Sequence, residues 1–139
     1  MACPYFYPTE RFGQNVWPHP ARLPLGDGYA GICGVNPAAD FRPDENRLRE
    51  YCNLGYARGV CDRFPNAACA DAVRFTVSGD QDGIIIIYYA LEKDHRPCGH
   101  GPLEYDKARR AFVAPPVDRM LHRQAEAYVE SYLRRKMEL

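Results

Sequence analysis

Six cysteines stand at positions 3, 33, 52, 61, 69 and 98, and five of them precede residue 70. Thiols in such number serve as metal or cluster ligands, as disulfide partners, or as nucleophiles, and spacing and neighbours separate these uses. No pair follows the tight Cys-x2-Cys or Cys-x4-Cys spacing of a zinc knuckle. Four ligands would therefore have to arrive from four separate loops.

Widely spaced thiolates suit an iron-sulfur cube, whose four irons each accept one. Cys3 is followed by Pro4, as is the last ligand of the bacterial ferredoxin run. Gly31 and Gly34 flank Cys33, and Gly55 and Gly59 lie between Cys52 and Cys61. Glycines there would let backbone amides approach the sulfurs closely. The aromatic stretches "CPYFYP", "VWP", "GYAG" and "EYCNLGY" would screen a cluster from water. The leading expectation is a [4Fe-4S] protein with Cys3, Cys33, Cys52 and Cys61 as ligands, although the Cys-x2-Cys-x2-Cys run is absent. Cys69, in "NAACADAV", reads as a core thiol and is the substitute if Cys33 is not a ligand. Four thiolates saturate the cluster, which points to electron transfer, redox sensing or a scaffold role with a protein redox partner. The first alternative is a zinc-stabilised structural or protein-interaction module using the same thiols.

A second constellation, "EKDHRPCGHG", places His95, Cys98 and His100 close together. It defines the second alternative, a metal-free enzyme or binding domain using that loop; its plainer reading is a Gly/Pro loop with side chains in solvent. "LPLGDGYAG" lacks the lysine and length of a phosphate-binding loop and reads as tight turns that deliver Leu23, Leu25 and Tyr29 to the core. Asp80 and Asp82 do not complete a calcium-loop spacing and read as turn residues. Arg47, Arg49, Arg58, Arg63 and Arg74 surround the cysteine-rich half, where they read mostly as ion-pair partners of Glu45, Glu50, Asp62 and Asp71.

The elements that must position these residues divide the chain in two. Residues 1–70 carry much of the proline, glycine and aromatic content and sustain no period, which predicts an irregular half with one short helix. That helix lies in "PDENRLREYCN", capped by Asp44, with Leu48, Tyr51 and Cys52 on one face and Gly55 as its stop. In residues 72–139, "AVRFTV", "IIIIYYALE", "PLEYD" and "AFVA" predict a four-stranded antiparallel meander. The Ile84 to Ile87 run predicts a strand covered at least in part on both faces. "PPVDRMLHRQAEAYVESYLRRKMEL" predicts a C-terminal amphipathic helix, with Leu121, Ala125, Tyr128, Tyr132, Val117 and Met120 in its apolar stripe and Val129 and Leu133 widening it. Asp118 near its start and Arg134 to Lys136 near its end suit the helix dipole. Tyr128 and Tyr132 leave room for a homodimer contact. The expected class is α+β, in a single domain of 139 residues.

Eighteen basic and eighteen acidic residues cancel, so no overall field would gather nucleic acid, and none is expected as partner. The longest strongly apolar run, "GIIIIYYAL" at 83–91, is far too short to span a bilayer as a helix. The first residues do not resemble a signal peptide, which gives the expectation of a cytoplasmic protein. In that compartment six cysteines favour thiols or ligands over a disulfide framework.

Overall fold

Asp82 and Gly83, with φ of 55° and 80°, form the two-residue turn of a long hairpin. Two positive φ values match the right-handed twist of the strands they join, which is why Asp-Gly ends hairpins so often. The turn joins β3 (Ala72–Gln81) to β4 (Ile84–Lys93). A second two-residue turn, Asp94 and His95 with φ of 53° and 63°, leads into β5 (Arg96–Asp106). β6 (Ala111–Phe112) completes a four-stranded antiparallel sheet in the order β3-β4-β5-β6. The computed structural model describes residues 2–11, 24–36, 41–56, 61–65 and 70–137. Cys69, Trp17, Leu23, Arg58 and Gly59 lie outside the described residues.

One face of this sheet carries Val73, Phe75, Ile85, Ile87, Leu103, Tyr105 and Phe112 into a single buried cluster. Leu121, Ala125 and Val129 of α2 (Arg119–Met137) join it. Along β4, Ile85 and Ile87 are fully buried while Ile84 and Ile86 are partly covered. Asp118 Oδ1 accepts from the Met120 and Leu121 amides and caps α2. Val117, expected on the apolar stripe, precedes the helix and is fully exposed. Tyr128 packs on Phe75 at 5.4 Å, and Tyr132 donates to Asp80 Oδ2 at 2.8 Å, so both rings are engaged within the chain. No helix among the described residues is long and apolar enough to cross a membrane.

The first half departs from its expected irregularity. β1 (Phe6–Arg11) and β2 (Tyr29–Cys33) pair antiparallel as a second, two-stranded sheet. Pro8 is one of the inward positions of β1, fully buried two residues after Phe6. A proline at such a position hides a strand from pattern reading, since proline is depleted in strands. The expected short helix is present as α1 (Glu45–Arg47), with Asp44 Oδ1 accepting from the Arg47 amide at 2.8 Å. It continues through a wider π-helical turn, Leu48–Cys52, whose end is marked by Asn53 N–H donating to Leu48 O.

Backbone pairing and helix packing tie the halves together. Ala2 and Val73 exchange backbone hydrogen bonds at 2.7 and 2.8 Å. α2 packs against β1 as well as β3, and Arg123 donates to the Pro8 and Thr9 carbonyls.

The turn before β2 also engages α2. Asp27, expected only as a turn residue, is buried and paired with Arg134 and Arg135. Burial pushes its pKa up, but hydrogen bonds from Arg134 and Ser131 and the charges of both arginines outweigh burial and hold it below the ordinary carboxylate value. A depressed folded-state pKa contributes stability that is present above the unfolded value, near pH ~3.9, and lost as pH falls through the folded one. Asp27→Asn should therefore lower stability at neutral pH and reduce the loss seen between about pH 5 and pH 3. Urea midpoints across that range check this. An unchanged acid slope in the variant would show that Asp27 is not a source of it.

Candidate functional site

Four separate segments deliver Cys3, Cys33, Cys52 and Cys61 to one pocket. Cys3 sits in the turn before β1, where its amide donates to the Cys52 carbonyl at 3.0 Å. Gln124 Nε2 of α2 donates to the Cys3 and Phe6 carbonyls, each at 2.7 Å, and fixes that turn. Cys33 ends β2 opposite Phe6, and its amide donates to the Phe41 carbonyl. Cys52 is the last residue of the π-helical turn. Cys61 begins a turn closed by a bond from the Phe64 amide to its carbonyl.

Tyr5, Phe6, Phe41, Tyr51 and Phe64 share the pocket wall with the thiols. Tyr5 and Phe64 meet edge to face at 5.6 Å. Burial pushes the Cys3 thiol up to about 12, helped by the neighbouring Cys33 and Cys61 and opposed by a backbone hydrogen bond from Tyr5. The Cys52 thiol is raised further, first by burial and then by its proximity to Cys3, Cys33 and Cys61. Both are neutral thiols at physiological pH and behave as small polarisable apolar groups.

The expected cluster is corrected at this point. Among the described residues, no group of three or more His, Cys, Asp or Glu side chains could hold a metal ion. The [4Fe-4S] assignment to Cys3, Cys33, Cys52 and Cys61, the zinc alternative and the electron-transfer role built on them are overturned by that geometry. The thiols share a pocket, but they share it with five aromatic rings and do not converge as a ligand set. Cys3, Cys33, Cys52 and Cys61 are free thiols, not disulfide partners.

The His95, Cys98 and His100 loop is corrected as well. Only Asp94 and His95 form the turn; Arg96 already belongs to β5, so Cys98 and His100 are strand residues. His95 stacks on Tyr56 at 4.3 Å between centroids, while His100 stacks on Tyr88 and hydrogen-bonds its hydroxyl. Each histidine is engaged by its own tyrosine, and the three residues form no metal-holding group.

The thiol-lined space is small, about 20 Å³, which suits a group of one or two non-hydrogen atoms. Beside it lies a chamber of about 300 Å³ bordered by Asp44, Asn46, Glu50 and Asp62. Arg47, Tyr51 and Cys61 line both spaces and form the junction between them. The arginines differ in their commitments. Arg47 pairs with Asp62 and Arg49 with Glu45, both at 2.8 Å, as the sequence suggested. Arg74 pairs instead with the buried Glu92. The Arg63 guanidinium lies 3.8 Å over the Phe41 ring, and its Nε is buried without a hydrogen-bond partner.

Two residues that build this site carried no flag in the sequence. Asn53 is fully buried, and its side chain accepts from Tyr29 N–H at 3.0 Å and donates to the Tyr29 and Leu48 carbonyls at 3.1 and 2.9 Å. Gln124 lies three residues after Leu121 and four before Tyr128, a polar residue on an apolar stripe, and that position was the available signal. Comparisons with family models, with curated proteins and with solved structures gave no match, so the assignment of this site rests on its own geometry.

Proposed function

We propose that the chain is a small-molecule-binding domain whose site is the thiol-lined pocket together with the adjoining polar chamber. The observation that carries this reading is the convergence of four cysteines and five aromatic rings from separate segments on one apolar recess that opens beside a larger polar space. Ligand sites combine an apolar surface with a few polar groups that fix orientation, and the junction at Arg47, Tyr51 and Cys61 supplies that combination. The recess takes the apolar tip of the ligand and the chamber takes its body. Cys3, Cys33, Cys52 and Cys61 serve here as polarisable contact surface.

This reading takes the chain as one domain, because the Ala2 and Val73 pairing and the seat of α2 on β1 join its halves. It also places the protein in a reducing compartment such as the cytoplasm, where free thiols persist.

Fragments with a methyl or ethyl end and a polar body, titrated into isotopically labelled protein, should shift the amide resonances of Arg47, Tyr51 and Cys61. Cys61→Trp, which fills the junction, should abolish those shifts while leaving the β3–β4 resonances in place. Fragment binding that maps elsewhere, or no binding across such a set, would overturn the proposal.

A further inference from the structure

A hollow of about 110 Å³ lies between the end of β1 and the face of α2 that packs on it, and Arg11, Arg123 and Arg134 all line it. It shares no residue with the recess or the chamber described above. Residues 123, 130, 131 and 134 recur at helical spacing on one face of α2, and Arg11 stands opposite Tyr29 in the β1–β2 register. The Tyr29 hydroxyl donates to the Ala127 carbonyl at 2.9 Å and meets Ser131 Oγ at 2.7 Å, which holds the strand pair against that face.

The positive charge gathered here is only partly answered. Arg123 donates to the Pro8 and Thr9 carbonyls, contacts that fix its guanidinium without neutralising it. Arg134 pairs with Asp27, but Asp27 is shared with Arg135, so one charge stays in excess. Arg11 ends β1 in solvent, and no group among the described residues engages its guanidinium. Among the described residues the lining carries one carboxylate, Glu130, 3.4 Å from Arg123 and more than half exposed, and such a surface pair contributes little. Glu126, 4.0 Å from Arg123, stands outside the lining. Like charges in a concavity focus their field on whatever enters it.

We propose that this hollow binds the dianionic phosphate group of a small phosphomonoester. Three guanidiniums against one carboxylate leave a net charge of two on the lining, which matches the charge of about −1.5 to −2 on a monoester near neutral pH. Guanidiniums arriving from two elements can bond different oxygens of a tetrahedral group, whereas one arginine fork already serves a carboxylate. A single water needs about 10–15 Å³ of such space, so a phosphorus with its oxygens fits.

The test titrates inorganic phosphate, methyl phosphate and dimethyl phosphate separately into the full chain near pH ~7 at constant ionic strength, following the Nε–H resonances of Arg11, Arg123 and Arg134. Methyl phosphate should give saturable shifts at these side chains, and dimethyl phosphate, a monoanion like each link of a nucleic-acid backbone, should bind at least about tenfold more weakly. Arg11→Gln, at an exposed position with no side-chain partner to lose, should fold normally and weaken methyl phosphate about tenfold. Arg110→Gln, in the exposed turn before β6, should leave binding unchanged. Equal binding of monoester and diester would overturn the dianion assignment, and binding of inorganic phosphate alone would overturn the monoester in favour of the free ion. Absence of shifts at the hollow, undiminished affinity in Arg11→Gln, or equal weakening by Arg110→Gln would overturn the site itself.

Discussion

Asn53→Leu should destabilise the protein by about 3 kcal/mol or more, one of the two largest losses expected from a single substitution. Three side-chain hydrogen bonds disappear at a fully buried position, and the Tyr29 amide and the Tyr29 and Leu48 carbonyls lose partners that water cannot replace without opening the fold. Asn53→Asp, nearly the same shape, keeps the acceptor toward Tyr29 N–H but turns the donor into a carboxylate oxygen facing two carbonyls. It should be at least as damaging at neutral pH and partly recover in mild acid, where the protonated group can donate again. Urea unfolding at pH 7 and pH 5 checks both variants. A loss below about 1 kcal/mol for Asn53→Leu would show that the clamp is not under the strain of burial assigned to it.

Gly31→Ala is the second. A Cβ at residue 31 would overlap the Tyr7 carbonyl oxygen, sit 2.7 Å from Phe6 Cε1 and lie 2.9 Å from Pro8 Cα. Two of these three are backbone atoms of the paired strand, which cannot rotate aside as a side-chain tip can. Only separation of β1 from β2 relieves the overlap, and the cost should reach about 3 kcal/mol, the upper range for an inserted methyl group. Because Cys33 ends β2 and Cys3 precedes β1, the same separation should expose thiols that are now covered. Reaction with a thiol reagent under native conditions should accelerate in step with the fall in urea midpoint. A stable Gly31→Ala protein with unchanged thiol reactivity would contradict the close approach of the two strands.

The parts of this fold that were legible in the sequence are those whose pattern is local. Asp82-Gly83 encodes its own hairpin, the isoleucine run its strand, Asp44 and Asp118 their helix starts. The β1–β2 pair was not legible, because its inward positions include Pro8 and its partner strand carries Gly31, neither of which scores as a strand residue. Cys3, Cys33, Cys52 and Cys61 line one space, but the cluster ligation that their glycine and proline neighbours suggested is contradicted. Cysteine type alone does not distinguish a ligand from a polarisable wall; convergence of the sulfurs decides, and that depends on how distant segments pack. Asn53 escaped notice, and Asp27 read only as a turn residue, for a related reason. Their partners lie 24 residues and more than 100 residues away, beyond the reach of any periodicity.

The π-helical turn from Leu48 to Cys52 carries a thermodynamic consequence. Its residues Tyr51 and Cys52 form part of the pocket wall, while its end is held by Asn53, which in turn holds the start of β2 and hence the strand that ends at Cys33. Occupancy of the recess and integrity of the clamp therefore draw on the same set of contacts. A ligand that binds only the assembled pocket raises unfolding free energy by an amount fixed by its concentration relative to its dissociation constant. Saturating ligand should thus raise the melting temperature of the Asn53 variants as well as of the unsubstituted protein. The weakened clamp makes the pocket's own affinity measurable as rescue of the fold.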